Sequence, residues 1–563
     1  MNTIATLLGL TAIRAISFEN STRDPLKAQR KVLFEYLRRN RKTEYGSKYG
    51  FSGIRSIEDF QSKVPLTNFQ ALRAYLERMT KGETNVLTSD RPIFFGATSG
   101  TTSHPKLIPA TAYSESKKDD LLRLWGYYIS RDHPDIFNGK ILAIVSPEIE
   151  GFTESGIPFG AESGHGYKHI PGIIKHLYVL PEEVFSITDY NARYYTILRI
   201  SMGHDITNIA SLNPNTIILL CQKILKWQEM IISDIETGSL SGSFDIPNGI
   251  RHTLQRKLSP DPERARTLKR IASDKGRLLP KDFWPNLKLI ECWKAGTMKI
   301  YLNDLPRYLG NVPVRDMGCL STEARSSIPM SDEGSGGVLA INTNFYEFIP
   351  KEEIGNKKAG PVLCDNLEKD REYFLIVTTP GGLYRYNIDD IIRVDGFFNK
   401  TPVIEFVQKG LSATSIAGEK LYESQVNEAL ARALSRCNLS LGFFCASAIP
   451  SSMPRYEFLT EFRDQNIPLE GKRMFLSVMD EELRRENREY EWARQAQLLG
   501  FPVLKVIRKG DSERYRIKRV QEGAQDGQYK VPELTGDRNF HKNFIYEEVI
   551  YIDNEPQKEK EVL

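Results

Sequence analysis

The sequence predicts an α/β protein: a large N-terminal region of β-sheets flanked by helices, residues 1–408, then a smaller α+β unit, residues 409–563. Three observations predict it. Short apolar runs that read as strands alternate with longer stretches of helical period, the order expected of an α/β architecture. That alternation stops near Gln408-Lys409-Gly410 and restarts on a smaller scale beyond. Apolar residues make up 40% of the 563 and charged residues 26%, which suits a globular chain with a large core.

Residues 1–18 are apolar in patches broken by Arg14 and bounded by Glu19. Without a basic start or a small-residue cleavage site, they read as a helix packed on the body rather than a signal peptide. Residues 25–40 set Leu26, Val32, Leu33, Tyr36 and Leu37 on one helical stripe. Pro92-Ile93-Phe94-Phe95 reads as a strand, 119–130 as a helix, and 140–146 as a strand buried on both faces. Residues 216–232 have the period of a buried helix, and 287–293 and 337–342 read as further strands. Residues 241–282, rich in glycine, proline and charge, read as a surface excursion. In the second unit, 456–462 and 502–507 read as strands around a helix at 480–499, and residues 554–562 as a disordered tail.

Charge and cysteines narrow the class of function. With 76 Lys+Arg against 72 Asp+Glu, the net charge of +4 is too small to argue for nucleic acid or a membrane surface. The basic run Arg38-Arg39-Asn40-Arg41-Lys42 reads as a solvated helix end. No stretch approaches the length of a membrane span. The six cysteines show no CxxC spacing, so they read as reduced thiols of a cytoplasmic protein. His165 and His169, the histidines at metal-like spacing, read as structural.

The densest signal is Thr98-Ser99-Gly100-Thr101-Thr102-Ser103-His104-Pro105-Lys106, a hydroxyl-rich turn directly after a strand. Backbone N–H groups and hydroxyls of such a turn can point at phosphate oxygens, and Lys106 adds a full charge. The Walker spacing is absent. The pattern also fits a plain surface turn.

The loop resembles the TSGTTGxPK signature of adenylate-forming enzymes. Three further segments extend the resemblance: Gly318-Cys319-Leu320-Ser321-Thr322-Glu323, Leu383-Tyr384-Arg385-Tyr386-Asn387-Ile388-Asp389-Asp390, and Gln528-Tyr529-Lys530-Val531-Pro532. They are similar, in order, to the Thr-Glu segment beside the adenine pocket, to the LYRYxxGD block, and to the QYKxP segment of the auxin-responsive acyl-acid amido synthetases. That family joins jasmonate, auxin or benzoates to amino acids. The match runs from Thr43-Glu44-Tyr45-Gly46 to Pro532.

The resemblance implies a ligase that adenylates a carboxylic acid with ATP and Mg²⁺, releases pyrophosphate, and passes the acyl group to an amine, an amino acid above all. Its partners would be these small molecules. Thr98, Ser99, Gly100, Thr101, Thr102 and Lys106 would hold the β- and γ-phosphates. Glu323 would ligate Mg²⁺, a hard cation that takes carboxylate and phosphate oxygens, with Ser321 and Thr322 beside the nucleotide. Ser321-Thr322-Glu323 also reads as a helix cap. Asp390 would hold the ribose hydroxyls, although Asp389 stands where the family has glycine and either carboxylate fits. Cys319 stands where the family packs an aromatic ring on adenine, so Phe345 or Tyr346, from a segment similar to YFEF, would supply it.

Lys530 taken alone reads as a surface lysine. By resemblance it is the catalytic lysine that the small, mobile domain brings to the α-phosphate, with Lys420 a second cation. Arg385 reads as structural, as do Tyr490 and Arg494, one helical turn apart. The acyl pocket would be lined by Leu121, Leu124, Trp125 and Tyr128 and by the loop 160–169, with the Ala295-Gly296-Thr297-Met298 turn closing one side. Two other readings stay open: thioester formation on CoA or a carrier, and a degenerate protein that binds nucleotide or ligand without turnover.

Overall fold

The computed structural model describes residues 2–97, 106–354, 360–410, 413–414, 416–417, 419, 421–451, 453–464, 466–495, 498–522, 531–537 and 539–552, without the side chains of 2–10, 297, 300, 413 and 488. Residues 98–105, Lys420, Lys530 and the 554–562 tail therefore lie outside the described residues, as does the Thr297 side chain. The chain divides into two compact units, 1–407 and 408–563.

Helices frame the first unit because the sequence caps them. Asp24 accepts the Lys27 N–H ahead of the helix Pro25–Asn40, whose proline occupies the first turn. Thr111 and Ser114 form a reciprocal capping box at the start of Ala112–Asp132. Pro214–Thr237 begins on Asn213 and ends at Gly238, whose φ of +74° stops the helix. The excursion at 241–282 is helical rather than irregular: Ala265 and Leu268 of Pro262–Lys275 are buried against Pro214–Thr237.

Among the described residues three sheets fill this unit. One is parallel, in the order Lys140–Ile144, Ile206–Ser211, Leu289–Glu291, Val314–Arg315. The largest has the order Phe345–Pro350, Glu372–Thr378, Tyr386–Phe398, Thr401–Lys409, Gly337–Leu339, Ser327–Ile328. The third has the order Leu107–Thr111, Pro92–Ala97, Pro158–Gly160, Gly151–Phe152. Here the sequence expectation is incomplete. A second strand, Leu107–Thr111, returns antiparallel to Pro92–Ala97 before the helix starts, so 98–105 joins two paired strands. Its central Pro109 and five-residue length hide it from a propensity reading.

Among the described residues the second unit holds a five-stranded mixed sheet ordered Leu534–Thr535, Leu441–Ile449, Arg455–Phe462, Val503–Ile507, Tyr546–Ile550, and a two-stranded pair, Ala413–Thr414 with Leu421–Tyr422. The predicted 480–499 helix is two helices, Leu469–Glu486 and Arg488–Gln495. Asn487 parts them: its side chain accepts the Tyr490 N–H at 2.8 Å and donates to Gln425 at 2.7 Å.

Candidate active site

In the first unit, segments far apart in sequence meet around a shallow cleft open to solvent. Ser114, Lys118 and Leu121 line it from one stripe of the helix Ala112–Asp132. Thr322, Glu323, Ala324 and Arg325 line it from a tight turn, and Thr343, Asn344 and Thr379-Pro380-Gly381 from the edge of the large sheet. The turn forms because Ser321 and Ala324 pair through their backbones at 2.9 Å while the Ser321 hydroxyl accepts the Ala324 N–H at 3.2 Å. No helix starts there, which removes the cap reading of Ser321-Thr322-Glu323.

Close backbone approaches hold the walls together. A Cβ on Gly96 would lie 2.6 Å from Thr322 Cγ2 and 2.6 Å from Glu162 Oε1. The strand that leads into residues 98–105 thus rests against Thr322. A Cβ on Gly381 would lie 2.9 Å from the Pro109 carbonyl, fixing the opposite wall to the return strand. Lys106, at the far end of that loop, sets its ammonium 5.4 Å from the Phe69 ring centre.

Charge in the cleft is already partly committed. Lys118 lies 2.9 Å from Glu162 and 3.1 Å from Glu115. Burial opposes its charge, but these carboxylates hold its pKa above the ordinary lysine value. Behind it, Glu148, His165 and His169 bring ligand atoms within 4.8 Å of one another. Both Glu148 oxygens are engaged, one with His165 at 3.2 Å and one with Lys168 at 2.6 Å, and the His165 ring stacks on Phe94.

The Leu383–Asp390 segment is clamped rather than free. Arg385 pairs with buried Glu347 at 2.9 Å and donates to the carbonyls of Gln61 and Val64 at 2.6 Å each. Tyr384 stacks on Tyr45 with centroids 5.1 Å apart and donates to the Leu87 carbonyl. The Thr43–Gly46 and Phe345–Phe348 segments are therefore scaffolding for this block.

Asp389 is exposed and left-handed, at φ +64°, its N–H donated to the Asn387 side chain at 2.8 Å. Asp390 is buried, and its charge adds to the burial that pushes the Cys319 thiol up. Asp389 fills a backbone position that suits glycine.

Family models match this chain in order along its length: the GH3 family N-terminal domain over 14–314, the central domain over 337–409 and the C-terminal domain over 424–539. This chain belongs to the GH3 family. GH3 relatives include indole-3-acetic acid-amido synthetase GH3.4 of Arabidopsis thaliana, 27% identical over 93% of this chain and 91% of that protein. Jasmonoyl–L-amino acid synthetase JAR4 of Nicotiana attenuata is 25% identical over 93% of each chain. The solved structure titled GH3.15 acyl acid amido synthetase shares the fold, with a TM-score of 0.83 at 22% identity over 94% of this chain and 96% of that one.

Within this GH3 chain the expected site residues divide. Thr322 and Glu323 line the cleft and Ser321 builds their turn, while Lys106 and Asp390 are not among the residues that line it. Phe345 is 1% exposed and meets Phe60 edge-on in the core. Tyr346 is buried with its hydroxyl on Asn344 at 3.0 Å. Neither ring faces the cleft. Leu124, Trp125 and Tyr128 are core residues as well: Trp125 donates to the Asp316 carbonyl and Tyr128 to Glu19. Met298 is buried, its turn seated on Phe406 and Val407 through Gly296. In the second unit Tyr490 and Arg494 both bind Asp480, at 2.7 and 3.1 Å, a structural pair as read.

The sequence reading missed Ser114, Lys118, Thr379, Gly381 and Arg325. The stripe 114, 118, 121 at helical spacing was the one available signal, polar at its N-terminal end and apolar beyond.

Proposed function

We propose that this GH3 chain is an ATP-dependent acyl-acid amido synthetase. A carboxylate oxygen attacks the α-phosphorus of ATP, the bond to pyrophosphate breaks, and acyl-AMP forms. An amine, best an amino acid, then attacks the acyl carbon; the C–N bond forms, AMP leaves, and the amine gives up a proton. The observation that carries this reading is the convergence, in one cleft, of the turn bearing Glu323, the strand pair that bounds 98–105, and the loop ahead of the Leu383–Asp390 block.

Each group has a task suited to it. Residues 98–105 and Lys106 hold phosphate oxygens next to Thr322. Asp390, a buried carboxylate, suits the paired hydroxyls of a ribose. Glu323 is partly exposed at the cleft, a hard oxygen donor that fits Mg²⁺. Bound there, Mg²⁺ would supply positive charge to the phosphate oxygens during transfer. Lys530, from the second unit, donates to the α-phosphate, and removing one such donor costs roughly 10²–10³ in rate. The reading includes a reducing, cytosolic setting, which its unbridged cysteines suit; no described helix is long and apolar enough to cross a membrane.

The test is pyrophosphate release with aryl, indolyl and aliphatic acids, with mixed amino acids or CoA as acceptor, for wild type and Lys530→Ala. Acid-dependent release, raised by amino acids and lost in the variant, is expected. Release raised by CoA alone would replace the reading with thioester formation, and ATP binding without release on any acid would leave a non-catalytic binder.

A further inference from the structure

Two buried arginines in the first unit are held by carboxylates. Arg385 grips Glu347, and Arg315 reaches Asp132 at 2.7 Å and Asp332 at 2.6 Å. Arg325 is different. It is 8% exposed and lines the cleft two residues from Glu323, yet no described carboxylate lies within ion-pair distance of it. Its Nη1 is buried with no hydrogen-bond partner among the described residues. The guanidinium rests over the Trp125 ring at 4.9 Å, which fixes its plane without satisfying its N–H groups.

The nearest acids are committed elsewhere. Asp316 accepts the backbone N–H groups of Lys294 at 2.6 Å and Gly318 at 2.5 Å, and Glu291 takes the Asn208 amide. Burial lowers the Arg325 pKa to about 10, with Glu291 and Asp316 opposing, so it stays charged at neutral pH. Lys118, the other cation on the cleft wall, is matched by Glu115 and Glu162. Arg325 is therefore a buried guanidinium on the cleft wall, in no ion pair and with Nη1 unpartnered among the described residues, and a guanidinium recognises a carboxylate in two parallel hydrogen bonds.

We propose that Arg325 receives a carboxylate that the reaction does not activate, an inference that rests on the amido synthetase reading. The activated carboxylate loses its charge on becoming an acyl phosphate, so a fixed cation on it would favour substrate over transition state. A carboxylate that persists through both steps suffers no such loss. Two substrates can bring one: an acyl acid with a second carboxylate, or an acceptor amino acid, whose α-carboxylate stays free in the amide.

The experiment compares wild type, Arg325→Gln and Arg325→Lys in two arms. The first is acid-dependent pyrophosphate exchange without amine, using dicarboxylic acids and their monoamides. The second is amide formation with amino acids and the matching amino acid amides. Wild type is expected to prefer the free carboxylate in one arm. In that arm Arg325→Gln raises KM roughly 10- to 100-fold with a smaller change in kcat, erases the preference, and Arg325→Lys recovers part of it. The arm that moves names the source. A wild type that takes the monoamides and amino acid amides as readily as the acids overturns the proposal whether or not the variants fold. So does unchanged KM in both arms of a folded Arg325→Gln. Absence of exchange by wild type with every acid overturns the amido synthetase reading instead, and this inference with it.

Discussion

Asp389 holds a left-handed backbone and is exposed, whereas Asp390 is buried. Substitution can test the two adjacent carboxylates separately. Asp389→Gly is expected to stay within about 1 kcal/mol of wild type in stability, since glycine adopts this φ freely, and to leave the KM for ATP unchanged. Asp390→Ala is expected to raise that KM about tenfold, the loss of one charge-assisted contact. Steady-state kinetics and thermal melts on the two variants check this, and a reversed pattern would give the ribose to Asp389. Glu291 supplies a pH test. Burial pushes its carboxyl up to about 7, opposed by the Asn208 hydrogen bond and by the charges of Arg315 and Arg325. The folded state therefore binds more protons than the unfolded state between about pH 4.5 and 7. This contribution to stability is present at low pH and is lost as pH rises through that window. Glu291→Gln keeps an acceptor for Asn208 and removes the titration. Its melting temperature is expected to gain on wild type between pH 5 and pH 8, by an amount equivalent to about 1–3 kcal/mol. Parallel pH profiles for the two proteins would show that Glu291 is not the group responsible.

Among the elements, long periodic helices were legible because one stripe of apolar residues decides them, as in Pro25–Asn40 and Pro214–Thr237. Phe345–Pro350 shows where legibility ends. Each of its six residues is buried, so both faces of the strand are covered and alternation carries no inside–outside message. The YFEF likeness suggested a ring for adenine, but packing uses Phe345 against Phe60 and Glu347 against Arg385. Thr322 and Glu323, which line the cleft, could be found because a short local pattern marks them. Thr379 and Gly381 could not, because only tertiary packing brings them to the same cleft. The Gly96 contact offers a test at this scale. Gly96→Ala drives a methyl into Thr322 and Glu162, so kcat/KM is expected to fall 10- to 100-fold while the melt moves by about 1–3 kcal/mol. Full activity in this variant would show that Thr322 moves aside without cost to the site.

On the scale of the whole molecule, the cleft belongs entirely to the first unit, and the second carries the QYKxP segment with Lys530. Residues 1–409 expressed alone are expected to fold, with a cooperative melt that ATP raises, and to release no pyrophosphate above background. Release at the full-length rate would take Lys530 out of the adenylation step. The Arg385 clamp has a consequence for anyone recombining this chain with a relative. One guanidinium fastens strand 345–350 to the carbonyls of residues 61 and 64, and Thr67 closes the splice by pairing with the backbones of Tyr384, Arg385 and Asn387. The Leu383–Asp390 block is thus not a portable cassette. A chimera that imports 383–390 must import its N-terminal socket at 61–67 with it, or inherit a severed knot beneath the large sheet.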